Sequence, residues 1–223
     1  MAKALSLLLA LGALACFDVE KIDPCAAEGV FVVDDFEDED LISTPPFQRW
    51  SCRAFNPDDQ PGAINACERT AGDDGSAFMG DFTLTDVPNG LQEFTGASLS
   101  TSATRTFDLA CHRAVMLSAK FVPGNPAPPA RFYVELTCNS ATSSGLAGPY
   151  SVIRDIELSP SWLDFRLPLA SDFVQPPWQT NRIDGGQQAC LARVDGVGLL
   201  LSTNLADGQT GGGKLYIDNV AFQ

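Results

Sequence analysis

Histidine and basic side chains are scarce in this sequence. Its 223 residues include one histidine, His112, and 14 Lys plus Arg against 28 Asp plus Glu, a formal net charge of −14. Phosphate neutralisation needs clustered Lys and Arg, so a nucleic-acid partner is excluded. A lone histidine leaves no His-rich metal centre and argues against a Ser-His-Asp or Cys-His catalytic centre. No C-x-x-C, H-E-x-x-H, Walker loop, nucleophile elbow or dinucleotide fingerprint occurs. The triplet Gly211-Gly212-Gly213 precedes a predicted strand rather than a helix, so it is no phosphate cradle. Trp and Tyr number three each, too few for a long aromatic platform against crystalline polysaccharide. Acidic residues are so many that some pair always meets glycosidase spacing, so their number argues nothing about catalysis. No enzymatic activity is expected. Apolar residues make up 45% of the chain, enough for a core and against wholesale disorder.

The first 15 residues read as a targeting segment. Lys3 is followed by an apolar run of about a dozen residues, too short for a membrane span of ~20. Ala13-Leu14-Ala15-Cys16 resembles the lipobox of bacterial lipoproteins, although the best lipoboxes carry Leu where Ala13 stands. The resemblance implies acylation of Cys16, cleavage before it, and lipid anchoring as the sole membrane attachment. Phe17, rather than Asp, at the next position implies the outer membrane of the cell envelope. The alternative is an ordinary signal peptide cut near Ala15. Assigning Cys16 to a lipid leaves six cysteines: Cys25, Cys52, Cys67, Cys111, Cys138 and Cys190. An even number in an exported chain is expected to form disulfides. Cys52 and Cys67 flank the turn-rich stretch Asn56-Pro57-Asp58-Asp59-Gln60-Pro61-Gly62 and are the favoured local pair. The other pairings are not readable, and buried free thiols are the alternative.

Residues 16–28 read as a polar tether, and residues 29–223 as one domain. Short apolar runs separated by turn signals cover 30–33, 77–84, 98–107, 114–122, 131–138, 151–158, 162–167, 194–202 and 214–222. In 131–138, Phe132, Val134, Leu136 and Cys138 alternate with Tyr133, Glu135 and Thr137. In 162–167, Leu163, Phe165 and Leu167 oppose Trp162, Asp164 and Arg166. Such period-2 alternation marks half-buried strands. About nine or ten strands with Gly and Pro between them predict an all-β fold, a single β-sandwich or jelly roll.

Three segments in order carry a family resemblance. They are Val33-Asp34-Asp35-Phe36-Glu37-Asp38 with Trp50 beyond it, then Trp162-Leu163-Asp164-Phe165-Arg166-Leu167-Pro168, then Tyr216-Ile217-Asp218-Asn219-Val220-Ala221-Phe222. Residues 30–223 thereby resemble the galactose-binding-like β-sandwich, and more narrowly the carbohydrate-binding modules of cellulases and xylanases. That resemblance implies meeting first and last strands, often around a structural calcium ion. Asp35, Glu37 and Asp218 are its expected ligands here, since Asp35 and Glu37 share a strand face at i, i+2 spacing and calcium takes several carboxylate oxygens. The alternative is that residues 34–40 form a solvated acidic turn.

The resemblance also implies glycan binding without catalysis, though the fold hosts many functions. Tyr133, Arg154 and Trp178 are the expected glycan-facing residues, each with a packed or rim role as the alternative. Tyr133 opposes the apolar face of its strand, Trp178 lies in Gln175-Pro176-Pro177-Trp178, and Arg154 lies on a neighbouring strand. The resulting expectation is a monomeric, lipid-anchored envelope protein whose sandwich binds glycan or another extracellular ligand. The alternative is a structural lipoprotein that works through contacts with envelope or extracellular proteins.

Overall fold

A computed structural model describes residues 29–223 except 39, 56–62, 73–74, 87–93, 142–146 and 180–181. The targeting segment, the tether, Cys16 and Cys25 lie outside the described residues. Eleven strands and one short helix follow in order: β1 Phe31–Asp34, β2 Ser51–Phe55, β3 Ala63–Ala71, β4 Ser76–Thr85, β5 Phe94–Phe107, β6 Ala114–Pro123, β7 Ala130–Ala141, β8 Ala147–Ile156, β9 Leu163–Pro168, α1 Gly186–Leu191, β10 Val194–Asn204 and β11 Thr210–Phe222. Nine of the strands coincide with the alternating runs of the sequence. The additions are β2, β3 and α1.

The strands form two antiparallel sheets. One has the order β3-β4-β11-β6-β9, with β1 also paired to β11; the other has the order β2-β5-β10-β7-β8. β4 pairs with residues 210–217 of β11, and β1 takes up residues 220–222. The first and last strands therefore do meet. The inward faces bury Phe78, Phe82, Leu99, Leu136, Leu199, Leu215 and Phe222. Each such side chain contributes ~1.5–3 kcal/mol over its exposed state.

The motif residues are largely packing residues. Phe36, Trp50 and Phe78 form a buried aromatic cluster, with ring centroids 5.5 to 6.2 Å apart. Phe36 reaches it by adopting φ 57°, a left-handed conformation unusual for a bulky residue. Its backbone N–H donates to Asp34 Oδ1 at 2.8 Å, and Arg69 Nε donates to its carbonyl at 2.9 Å. These bonds hold a turn that would otherwise be costly. β1 accordingly ends at Asp34, and Asp35 and Glu37 do not share a strand face as the i, i+2 spacing predicted.

Two disulfides are described. Cys52–Cys67 joins β2, an edge of one sheet, to β3, an edge of the other. This is the local pair that the turn-rich spacing favoured. Cys138–Cys190 joins β7 to α1. Cys111 is also disulfide-bonded.

Candidate functional site

Register places a defined set of side chains on the outer face of the five-stranded sheet. Residues opposite one another in an antiparallel pair point the same way. One row across the sheet reads Arg53, Ser98, Leu200, Tyr133 and Asp155. The next reads Ser51, Ser100, Gly198, Glu135 and Ile153. Small residues in the two central strands keep the floor low. A Cβ at Gly198 would stand 2.7 Å from the Leu99 carbonyl oxygen and 2.8 Å from Ser100 Cβ.

The wall over this floor comes from residues 173–179. Val174 pairs with Ile153 along the free edge of β8, its N–H donating to the Ile153 carbonyl at 2.9 Å and the reverse bond at 2.7 Å. Gln179 Oε1 accepts from Ser151 N–H at 3.0 Å, and Gln175 Nε2 donates to the Gln179 carbonyl at 3.0 Å. These bonds turn the chain so that Trp178 lies edge-on to Tyr133, with centroids 5.6 Å apart. Tyr133 is itself packed with Ile153, Leu200 and Phe55. Trp178 keeps 44% of its surface exposed.

The result is a recess of about 340 Å³ lined by Arg53, Phe55, Ser98, Glu135, Trp178 and Leu200. That volume suits a small ligand or one or two units of a longer one. Its single carboxyl is Glu135. Burial pushes this group above the ordinary glutamate value, and a hydrogen bond from the Ser151 side chain partly offsets that. Glycoside hydrolysis needs two carboxyl groups with opposed roles, and this recess lining holds one.

A second depression, about 280 Å³, lies on the six-stranded sheet between residues 122–126 and 210–214. Its polar groups already satisfy one another. Asn65 Nδ2 donates to Asp81 Oδ1 at 3.1 Å and to Thr83 Oγ1 at 3.0 Å, and Lys214 Nζ stands 3.8 Å from Asp81 Oδ2. The recess beside Trp178 is therefore the better candidate for a ligand.

Of the three expected glycan-facing residues, the structure brings Tyr133 and Trp178 together. Arg154 lies elsewhere. It is opposite Val134, so its Cβ points to the core side of the sheet. Its edge strand lets the guanidinium emerge toward Asp172, at 3.7 Å. The sequence held this signal, because Val152, Arg154 and Ile156 alternate on one face. Arg53 and Glu135 were missed as site residues. Glu135 was visible on the Tyr133 face, whereas Arg53 sits on β2, which the sequence did not reveal. Trp162 belongs to a different cluster, edge-on to Tyr216 at 6.0 Å with Lys120 Nζ 4.5 Å from each ring.

The three expected calcium ligands are also separated in part. Asp218 is buried and Asp35 exposed. Glu37 Oε1 accepts from Ser76 N–H at 2.6 Å, and a Cβ at Gly72 would stand 2.8 Å from Asp218 Oδ2. Glu37 thus lies against Ser76 and Asp218 against Gly72, while Asp35 is exposed. Among the described residues, no group of three or more His, Cys, Asp or Glu side chains is placed to share a metal ion.

Two solved structures similar to this chain in fold are carbohydrate-binding modules. The chain is similar to the family 11 carbohydrate-binding module of a cellulosomal cellulase of Clostridium thermocellum, at 16% identity and a TM-score of 0.52, covering 88% of this chain and 95% of that one. It is similar also to a family 11 module from Clostridium thermocellum in complex with a β-1,3-1,4-mixed-linked tetrasaccharide, at 17% identity and a TM-score of 0.51, covering 88% of this chain and 96% of that one. No protein-family model and no curated protein matches the sequence. At these identities the likeness concerns architecture: the chain is a single β-sandwich of two antiparallel sheets, built as carbohydrate-binding modules are built.

Proposed function

We propose that this chain is a non-catalytic glycan-binding module. The observation that carries the reading is the recess beside Trp178: an exposed indole held edge-on by Tyr133, with Ser98, Glu135 and Arg53 in the same lining. Exposed aromatic faces beside polar groups recognise sugar rings, because a ring presents an apolar C–H face and hydroxyls at its rim. The β-sandwich architecture supports the same reading, and a single carboxyl in the recess argues against hydrolysis there. A glycan array followed by calorimetry tests it. Binding weakened about tenfold or more by Trp178→Ala is expected, in line with buried tryptophan anchors elsewhere. Silence across the array rejects the reading.

The cellular setting is part of the proposal. A lipid on Cys16 would hold a monomeric module on the outer membrane, with residues 17–28 as its tether. Metabolic labelling with a fatty acid, lost in Cys16→Ala, tests the anchor. Structural calcium is proposed on a smaller footing, the placing of Glu37 against Ser76 and of Asp218 against Gly72. Calcium takes carbonyl as well as carboxylate oxygens, so Glu37 and Asp218 would supply part of its ligand set. Equal melting temperatures with calcium and with chelator reject it.

A further inference from the structure

The recess lining sets one cation, Arg53, beside one carboxyl, Glu135, in a chain that is otherwise strongly acidic. Acidic residues outnumber basic ones two to one, 28 against 14. Carboxylates are thus available to pair with most cations on the surface. Yet the ion pairs of the described residues are Arg154–Asp172 and Lys214–Asp81. Arg53, on the rim of the recess, is in neither. Arg131, two residues before Tyr133 on the same face of β7, is in neither as well. Burial raises the pKa of the one acid lining the recess, Glu135, above the ordinary glutamate value. The contact that opposes this rise is a hydrogen bond from the Ser151 side chain. A site of this kind presents a guanidinium, an indole and a carboxyl whose burial opposes its ionisation.

Each element selects a part of a ligand. The guanidinium is a planar fork of donors matched to a carboxylate, and it retains its charge throughout the physiological range. The indole takes the apolar face of a ring. The neutral carboxyl can donate as well as accept a hydrogen bond, and it does not repel an anion. We infer that the recess takes an acidic glycan, a uronate-bearing oligosaccharide whose sugar ring lies on Trp178 and whose carboxylate pairs with Arg53. This rests on the glycan-binding reading and narrows it to a ligand class.

A pH dependence follows. The groups facing Glu135 are Gly198 of β10, Ile153, Ser151 and Asp155 of β8, Trp178 and Gln179 of residues 173–179, and Arg53 of β2. Arg53 alone among them is cationic. Ionisation of Glu135 would place a negative charge against the bound carboxylate, so affinity falls as pH rises through the folded-state value of Glu135.

A matched ligand pair tests the inference: an oligogalacturonate, and the same oligomer with its carboxyl groups reduced to alcohols. Calorimetry at physiological ionic strength is run with the full chain, Arg53→Gln, Arg53→Lys and Trp178→Ala. Arg53 is exposed, so its variants should fold, and near-UV circular dichroism checks that they do. The expected result is binding of the oligogalacturonate, weakened about tenfold to a hundredfold by carboxyl reduction or by Arg53→Gln, the range for hydrogen bonds to charged groups. Arg53→Lys should restore part of the loss. If the reduced oligomer binds as well as the acidic one, or Arg53→Gln leaves acidic binding unchanged, the inference is overturned while glycan binding stands. If no oligosaccharide of either kind binds and the array is silent, both fall together.

Discussion

The two described disulfides should contribute unequally to stability, in an order set by the loops they close. Cys138–Cys190 spans 52 residues and Cys52–Cys67 spans 15. Chain-entropy loss in the unfolded state gives about 4 kcal/mol for the first and about 3 kcal/mol for the second. Packing widens the gap. Cys138 and Cys190 are both fully buried, whereas Cys52 is half-buried and Cys67 is exposed. Trimming two core sulfurs to alanine adds a cavity worth roughly 1 kcal/mol. The double variant Cys138→Ala/Cys190→Ala should therefore lose about 5 kcal/mol, and Cys52→Ala/Cys67→Ala about 3 kcal/mol. For a domain of this size, each kcal/mol moves the melting temperature by about 2–4 °C. Scanning calorimetry should then show falls of roughly 10–20 °C and 6–12 °C. Urea titration of the same pair checks that the slopes are unchanged and that the loss is one of stability. A larger loss from the Cys52/Cys67 variant would refute the loop-length reasoning. It would mean that joining the two sheet edges matters more than constraining the unfolded chain.

Three further outcomes follow from particular contacts. Burial raises Glu135 above its ordinary 4.5, so its contribution to stability is complete below about that pH and is lost as pH rises through the folded-state value. Glu135→Gln should flatten the decline in melting temperature toward neutral pH, and an unchanged slope refutes the assignment; Asp34, raised from 3.8 by burial, adds to the same trend and remains in the variant. Arg69→Ala removes donors to the Phe36 carbonyl and to Ser76 Oγ, at 2.9 and 2.6 Å, and should cost about 1–3 kcal/mol by urea titration. Gly75→Ala places a Cβ where φ is +138° and on top of the Glu37 carboxylate. A loss of the order of 1–3 kcal/mol is expected in the same titration, and wild-type stability would mean that the turn is free to move.

Alternation revealed the strands that have one wet and one dry face. The run of Phe132, Val134, Leu136 and Cys138 against Tyr133, Glu135 and Thr137 gave β7 and the side on which the recess lies. β2 and β3 escaped because both are edge strands with largely exposed residues and no buried row to alternate. The turn signals between them outweighed their β propensity. α1 escaped because six residues are too few for a helical period. Trp178 was found by its place in a proline-rich loop, and Tyr133 by its strand parity. Parity applied to Arg154 would have removed it. Arg53 could not be found without the register of β2 against β5, which is a tertiary fact. The acidic stretch after β1 carried two readings in the sequence, a strand face shared by Asp35 and Glu37 or an acidic turn. Asp34 instead turns the chain through the amide of Phe36, so Asp35 and Glu37 part company.

The pairing of Val174 with Ile153 joins two tasks that are usually separate. β8 is the outermost strand of its sheet, and an unpaired strand edge invites other chains to add to it. Residues 173–179 cover part of that edge and also carry Trp178 into the recess wall. The segment that discourages self-association is thus the one that a ligand would grip. By linkage, a ligand bound against Trp178 while Val174 is paired with Ile153 would stabilise that pairing. Sugar binding and resistance to aggregation should then rise together, and a protein kept saturated with its ligand should also be the one that stores best.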